Sequence, residues 1–170
     1  NLNFCHISLT VLSAMNITEL VFIDDDYNHV VIMSDVVQRL HLYRQLHYAS
    51  TEAGGTLIGE RRGKHIVITH ISEPGSGDVR SRTRIERKGE HHQQKVDDLF
   101  QQSDGSLVYL GEWHTHPEDF PQPSSTDMRS WRTGLKATEP MVLLIMGRKQ
   151  AWCGKKHGNV IKKLEEKNNH

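Results

Sequence analysis

Cysteine is scarce in this chain. Its 170 residues include two, Cys5 and Cys153, far apart and in no C-x-x-C spacing. That excludes a disulfide framework and a cysteine-based zinc site, and it fits a reducing cytoplasm. Net charge is missing as well: 21 Lys and Arg balance 21 Asp and Glu, and the pI is near 7.4. No global basic field points to nucleic acid, and no acidic one to basic partners. No apolar run approaches the roughly 20 residues of a transmembrane helix, so nothing points to a membrane. Residues 7–15 are mildly apolar, but no Lys or Arg precedes them, which argues against a signal peptide. The sequence opens on Asn1. Residues 1–15 are therefore expected to be an extension or flexible N-terminus, with native translation from Met15. Internal repeats and low-complexity tracts are absent too, which excludes a solenoid.

What is present suits one ordinary domain. A hydrophobic fraction of 36% and a charged fraction of 25% belong to a globular chain, and the length allows a single core. The domain is expected over residues 16–164, with 165–170 as a flexible tail. The 12 histidines, without cysteine pairs, prompt a search for histidine–carboxylate metal ligation.

Residues 20–23 and 30–33 read as strands around a turn-forming Asp-rich segment. Ser34 or Asp35 can cap a helix running to about Tyr48, with Val36, Val37, Leu40 and Tyr43 on a helical period. Residues 53–59 and 65–72 read as a strand pair. Residues 74–88 read as a long exposed loop with a basic run, of the kind that is often functional. Then come a helix over 90–102, a strand over 107–116, a helix from Ser125 to about Ala137, a buried strand over 141–146, and a closing hairpin over 150–153 and 159–164. This mixed order predicts an α/β fold with a mixed sheet and helices on its faces.

The chemistry concentrates in Gly111-Glu112-Trp113-His114-Thr115-His116-Pro117 and Ser124-Ser125-Thr126-Asp127. On a strand, alternate side chains share a face, so His114 and His116 project together. Asp127, in the first turn of the next helix, can fold back as a third ligand. Three protein ligands with one open position describe catalytic zinc, although two histidines and a carboxylate also suit iron(II). Hydrolysis there needs a base. Glu52 stands before a Gly-Gly strand that permits close backbone approach, and Glu112 is its rival, nearer in sequence. Taken alone, H-x-H arises often by chance, and Ser124-x-x-Asp127 is also a helix capping box. The two joined by a short Pro-rich loop are far more specific.

Together, Glu52, His114-Thr115-His116-Pro117 and Ser124-x-x-Asp127 resemble the JAMM motif of the MPN+ metallopeptidases. That motif is a distant Glu, H-[S/T]-H-P, a gap of seven residues, and S-x-x-D; the gap here, residues 117–123, agrees. The resemblance implies the MPN fold, a curved mixed sheet flanked by helices. It implies one Zn2+ held by His114, His116 and Asp127, Glu52 as base, and Ser124 helping to stabilise the oxyanion. Residues 71–78, Arg80-Ser81-Arg82 and His92-Gln93 are further similar to a bacterial subgroup encoded beside E1- and E2-like conjugating enzymes in cyclic-oligonucleotide anti-phage operons. There the JAMM protein is a deconjugase that cuts the C-terminal tail of a cGAS-like nucleotidyltransferase from its targets. The expected partners are therefore a protein substrate with a conjugated tail, ubiquitin-like or cGAS-like, and an E1/E2-like enzyme.

Three rivals remain at this stage. One is a peptidase processing a ubiquitin-like or sulfur-carrier protein, another a metal-free MPN scaffold, and the third a RadC-like branch linked to DNA, against which the neutral pI weighs. His65, His70, His91, His92 and His157 are expected to be solvated or satisfied histidines. Trp113, Trp131 and Cys153 are expected in the core. The 80–88 run is expected to be a solvated loop, the alternative being that it contacts an acidic partner or shapes the groove for the tail.

Overall fold

The computed structural model describes residues 17–168; the expected N-terminal extension and Cys5 lie outside them. Eleven strands and three helices follow in the order β1 (Leu20–Ile23), β2 (His29–Ile32), α1 (Ser34–His41), β3 (Gly54–Arg62), β4 (His65–Ile71), β5 (Val79–Ser81), β6 (Arg84–Glu86), α2 (His91–Gln102), β7 (Val108–Thr115), α3 (Ser125–Gly134), β8 (Met141–Met146), β9 (Ala151–His157), β10 (Val160–Lys163) and β11 (Glu165–Glu166). Nine strands form one mixed sheet in the order β10-β9-β8-β7-β3-β4-β2-β1-β11, and β5-β6 stand apart as a hairpin. The β2–β4 and β7–β8 pairs are parallel and the others antiparallel.

The centre of the sheet is buried on both faces, and β8 makes this visible. All six residues of its Met-Val-Leu-Leu-Ile-Met run are buried, as a continuous apolar run predicts for a covered strand. Alternation then sorts them. Val142, Leu144 and Met146 join Trp113, Leu57, Ile68 and the Val36/Val37/Leu40 face of α1 in one core. Leu143 and Ile145 pack with Trp131 of α3, with Leu135 just past its end and with Trp152 in a second. Trp113, Trp131 and the free thiol Cys153 are buried as expected.

Four expectations need correction. The helix opened by Ser34 ends at His41 rather than near Tyr48. Its continuation is pulled apart by tertiary anchors: Tyr43 packs 5.5 Å from Trp113 and donates to Glu73, while Gln45 is buried. The 74–88 segment is an ordered hairpin, because Asp78 accepts the N–H groups of both Gly75 and Gly89 and so ties its two ends. Its basic run is occupied internally, as described below. Finally, residues 165–166 are not tail: they pair with Phe22 and Ile23 at the sheet edge, and Lys167 N–H donates to the Val21 carbonyl.

Candidate active site

Sheet geometry brings the base candidate to the histidines. β3 pairs antiparallel with β7, with Gly54 opposite His114 and Gly55 opposite Trp113. A Cβ built on Gly55 would lie 1.9 Å from the Ser72 carbonyl oxygen, so only glycine admits this crossing of β3 beneath the end of β4. Glu52, just ahead of the two glycines, is buried and lines a cleft of about 650 Å³ together with His116, Ser124 and Asp127. Thr83, Arg84 and Ile85 of the hairpin form its other wall.

The donor atoms converge at the mouth of β7. His114 Nε2 lies 3.0 Å from His116 Nε2, 3.3 Å separates His114 Nε2 from Asp127 Oδ1, and 3.2 Å separates His116 Nε2 from Asp127 Oδ2. A tetrahedron with bonds of about 2.0–2.1 Å to zinc has edges of about 3.3–3.4 Å, so this donor set fits such an ion. His116 Nδ1 is buried without a partner. Ser124 caps α3 in a reciprocal box: its Oγ accepts the Asp127 N–H at 3.0 Å and its own N–H donates to Asp127 Oδ2 at 2.7 Å. The capping box and the candidate site are one structure, since the cap aims the carboxylate.

Burial and charge tune these groups. Burial pushes Glu52 up to about 7, with His116 opposing and Asp127 adding to the rise. Burial also acts to raise Asp127, but the bonds from His114 and His116 overcome it and hold the carboxyl far below its ordinary range. His116 is raised overall: burial disfavours its imidazolium, and Asp127, Glu52 and Glu118 outweigh that. Glu112, the rival base, pairs instead with Arg87, and Arg87 also donates to the Gly55 carbonyl at 3.1 Å. Glu112 thus braces β7 against β3, away from the cleft lining.

Sequence reasoning missed the frame behind the candidate base. Glu52 N–H donates to the Ser81 carbonyl at 2.7 Å, and the Glu52 carbonyl accepts Arg80 Nε at 2.8 Å. Arg82 reaches the Tyr48 carbonyl and stacks over its ring. Arg84 and Lys88 pair with Glu86. The arginines thus lock the hairpin to this chain's own 48–52 segment instead of waiting for an acidic partner. No sequence signal marked the contacts to the 48–52 segment, because they end on backbone groups tens of residues away.

A second His/Asp group, Asp78, His91 and His92, also gathers its donor atoms within metal-ligating range. Here every donor is engaged. Ser72 Oγ accepts both the N–H and the hydroxyl of Thr56, so its own proton goes to His92 Nδ1 at 2.7 Å. His92 Nε2–H then donates to Asp78 at 2.9 Å, and His91 Nε2–H to the Glu73 carbonyl at 2.7 Å. These histidines are satisfied, as expected. A larger cleft of about 890 Å³ lies elsewhere, lined by Arg61, Tyr109, Leu135, Lys136 and Glu139 among others; none of the candidate residues opens into it. Among the described residues no helix is long and apolar enough to cross a membrane.

Comparison with known proteins accords with this geometry. Residues 34–156 match the family model described as prokaryotic homologs of the JAB domain. An Escherichia coli (strain TW11681) protein named CD-NTase/cGAS isopeptidase is 72% identical over 153 residues, covering 90% of this chain and 98% of its own. A Vibrio cholerae protein of the same name is 55% identical over 154 residues, covering 89% of this chain and 99% of its own. The solution structure of protein DSY2949 from Desulfitobacterium hafniense superposes with a TM-score of 0.60 at 17% identity, over 79% of this chain and 88% of that one, a likeness of fold. A curved mixed sheet with helices, the His/His/Asp cluster at the end of its central strand, and these matches over most of the chain lead to one family: the chain belongs to the prokaryotic homologs of the JAB domain.

Proposed function

We propose that this chain is a zinc-dependent isopeptidase that hydrolyses the amide bond joining the C-terminal tail of a cGAS-like nucleotidyltransferase to a target protein, undoing what an E1/E2-like enzyme has conjugated. The chain is a hydrolase, and its setting is taken to be the cytoplasm of a bacterium defending itself against phage. The observation that carries the reading is the convergence of the His114, His116 and Asp127 ligand atoms at a cleft lined by His116, Asp127 and the buried Glu52.

Zinc bound by those three residues supplies Lewis-acid activation of water and of the scissile carbonyl. The protein's own groups do the rest. Glu52, raised to about 7, is matched to neutral pH, so it can accept the proton of the attacking water and return it to the departing lysine amine. Ser124 Oγ already accepts the Asp127 N–H, which leaves its hydroxyl proton free to donate to the oxyanion. The conjugated tail must be extended to present one carbonyl. The hairpin wall carrying Arg84 and Ile85 offers it a strand edge, which pairs with backbone whatever the side chains. The hydrogen-bonded state of the second His/Asp cluster supports one metal per chain rather than two.

The test is Glu52→Gln on a lysine-branched isopeptide bearing the nucleotidyltransferase tail. The variant should keep its zinc and its fold while turnover drops about 100- to 10,000-fold, and it should hold the uncleaved conjugate. If Glu112→Gln were the inactive, well-folded variant and Glu52→Gln were near normal, the base assignment would be wrong.

A further inference from the structure

Gln45 is a polar side chain that the sequence gives no reason to bury, yet it is only 1% exposed. All three of its hydrogen-bonding positions in use are directional. Its Oε1 accepts the Thr115 hydroxyl at 2.9 Å, and its Nε2 donates to the Ser50 carbonyl at 3.2 Å and the Arg82 carbonyl at 2.7 Å. A hydroxyl on one side and two carbonyls on the other fix the orientation of the amide. Thr115 Oγ1, fully buried between the two candidate metal ligands, accepts the Ala53 N–H at 2.9 Å, and the Ala53 carbonyl accepts the Thr115 N–H at 2.9 Å. Ala53 follows Glu52, whose own N–H donates to Ser81 in the hairpin. A closed circuit results: hairpin turn, Gln45, the histidine-bearing strand, the base segment, and back to the hairpin.

We propose that Gln45 is a positioning residue which, through Thr115 and the Arg82 carbonyl, holds the tail-binding hairpin, the general base and the histidine-bearing strand in one register, so that a tail seated on the hairpin meets a base already placed for it. This rests on the isopeptidase reading above. Gln45 touches no reacting atom. Its effect passes through backbone position, where a displacement of about 1 Å can cost about 100-fold in rate. Buried and fully bonded, the amide resists loosening, because each group it satisfies would otherwise be stranded away from water.

The experiment measures kcat and KM for the same branched isopeptide with the zinc-loaded full chain, together with zinc content, melting temperature and hydrogen exchange at the Glu52 amide. Wild type and Glu52→Gln run alongside. Gln45→Met, of similar volume but without the amide, should lower kcat about ten- to a hundred-fold while KM moves less than about threefold and zinc stays at about one per chain. Exchange at the Glu52 amide should quicken as its bond to Ser81 loosens. Thr115→Val should reproduce the loss, so the proposal remains open to refutation even if Gln45→Met folds poorly, and Thr115→Ser, which keeps the hydroxyl, should recover most of it. Combining Gln45→Met with Thr115→Val should cost little more than either alone, since both break one circuit. Normal kcat in both single variants would overturn the proposal, as would loss of zinc in step with kcat, which would make Gln45 a support of the metal site only. A wild-type protein inert toward the isopeptide, or a fully active Glu52→Gln, would instead overturn the isopeptidase reading.

Discussion

The molecule contains two clusters of the same composition, two histidines and an aspartate, that behave as opposites. At Asp78, His91 and His92 both aspartate oxygens, both His92 nitrogens and His91 Nε2 already have complementary partners, and the tautomers follow from the Ser72 hydroxyl and the Glu73 carbonyl. At His114, His116 and Asp127, two ring nitrogens face each other at 3.0 Å and a third is buried without a partner. Residue types and proximity do not by themselves mark a candidate metal site; whether the ring nitrogens already hold partners outside the cluster separates the two. The position of each aspartate is the cause. Asp78 sits inside a loop it ties together, whereas Asp127 is aimed outward by a helix cap.

The largest expected contrast is in metal content. Zinc titration should saturate at about one ion per chain. His114→Ala and Asp127→Ala should abolish both binding and activity, while His91→Ala should leave both in place. Saturation at two ions, or unchanged zinc in the His114 and Asp127 variants, would erase the distinction between the clusters.

A smaller contrast separates the hairpin from the site it walls. From sequence, shortening the 80–88 segment should raise KM and leave the chemistry of Glu52 intact. The bonds from Arg80 and Ser81 to the Glu52 backbone change that expectation. Arg80→Met should lower kcat roughly tenfold, through a base displaced by a fraction of the ~1 Å that can cost a hundredfold, with zinc unchanged. An effect on KM alone would return the hairpin to a purely substrate-holding role.

The sequence carried the candidate constellation because its members are short-range or motif-spaced. His114 and His116 share a strand face, and Ser124 and Asp127 share one helical turn. The core strand at 141–146 was legible as an unbroken apolar run. What was hidden depends on partners far along the chain. Gln45 bonds residues 37 and 70 positions away, and in sequence it reads as one more polar residue of a helix. The hairpin's order depends on Asp78 bridging Gly75 and Gly89, and the early end of α1 on Tyr43 leaving for Trp113 and Glu73. The pairing of residues 165–166 was likewise invisible, since two glutamates carry no strand pattern and are placed by β1.

Next in size is the stability held by the satisfied cluster. His92→Ala strands the Ser72 hydroxyl and frees Asp78 of a partner inside the fold, which should cost about 1–3 kcal/mol and lower Tm by about 2–10 °C. Zinc content should not change. A variant as stable as wild type would mean that this network is ornamental and that the cluster's donors are less committed than their geometry indicates.

The smallest effect is a difference in pH response. His92 lies below its ordinary value of 6.5, because burial disfavours its imidazolium more than Asp78 favours it, with His91 and Arg87 adding to the depression. Between the folded value and 6.5 the unfolded chain therefore binds more protons, so stability falls as pH drops through that window. His92→Gln cannot titrate, and the wild-type stability measured against it by urea unfolding should shrink as pH is lowered from 8 toward 5. In chelator-stripped protein His116 should act in the opposite sense. Its folded value is raised overall by Asp127, Glu52 and Glu118 against burial, so its contribution is present at low pH and lost as pH rises through that value. Zinc should then abolish the His116 response, since a ligating nitrogen cannot hold a proton, and leave the His92 response untouched. A His92 difference that stayed flat or grew on acidification, or that vanished on adding zinc, would mean that the two clusters are not chemically distinct.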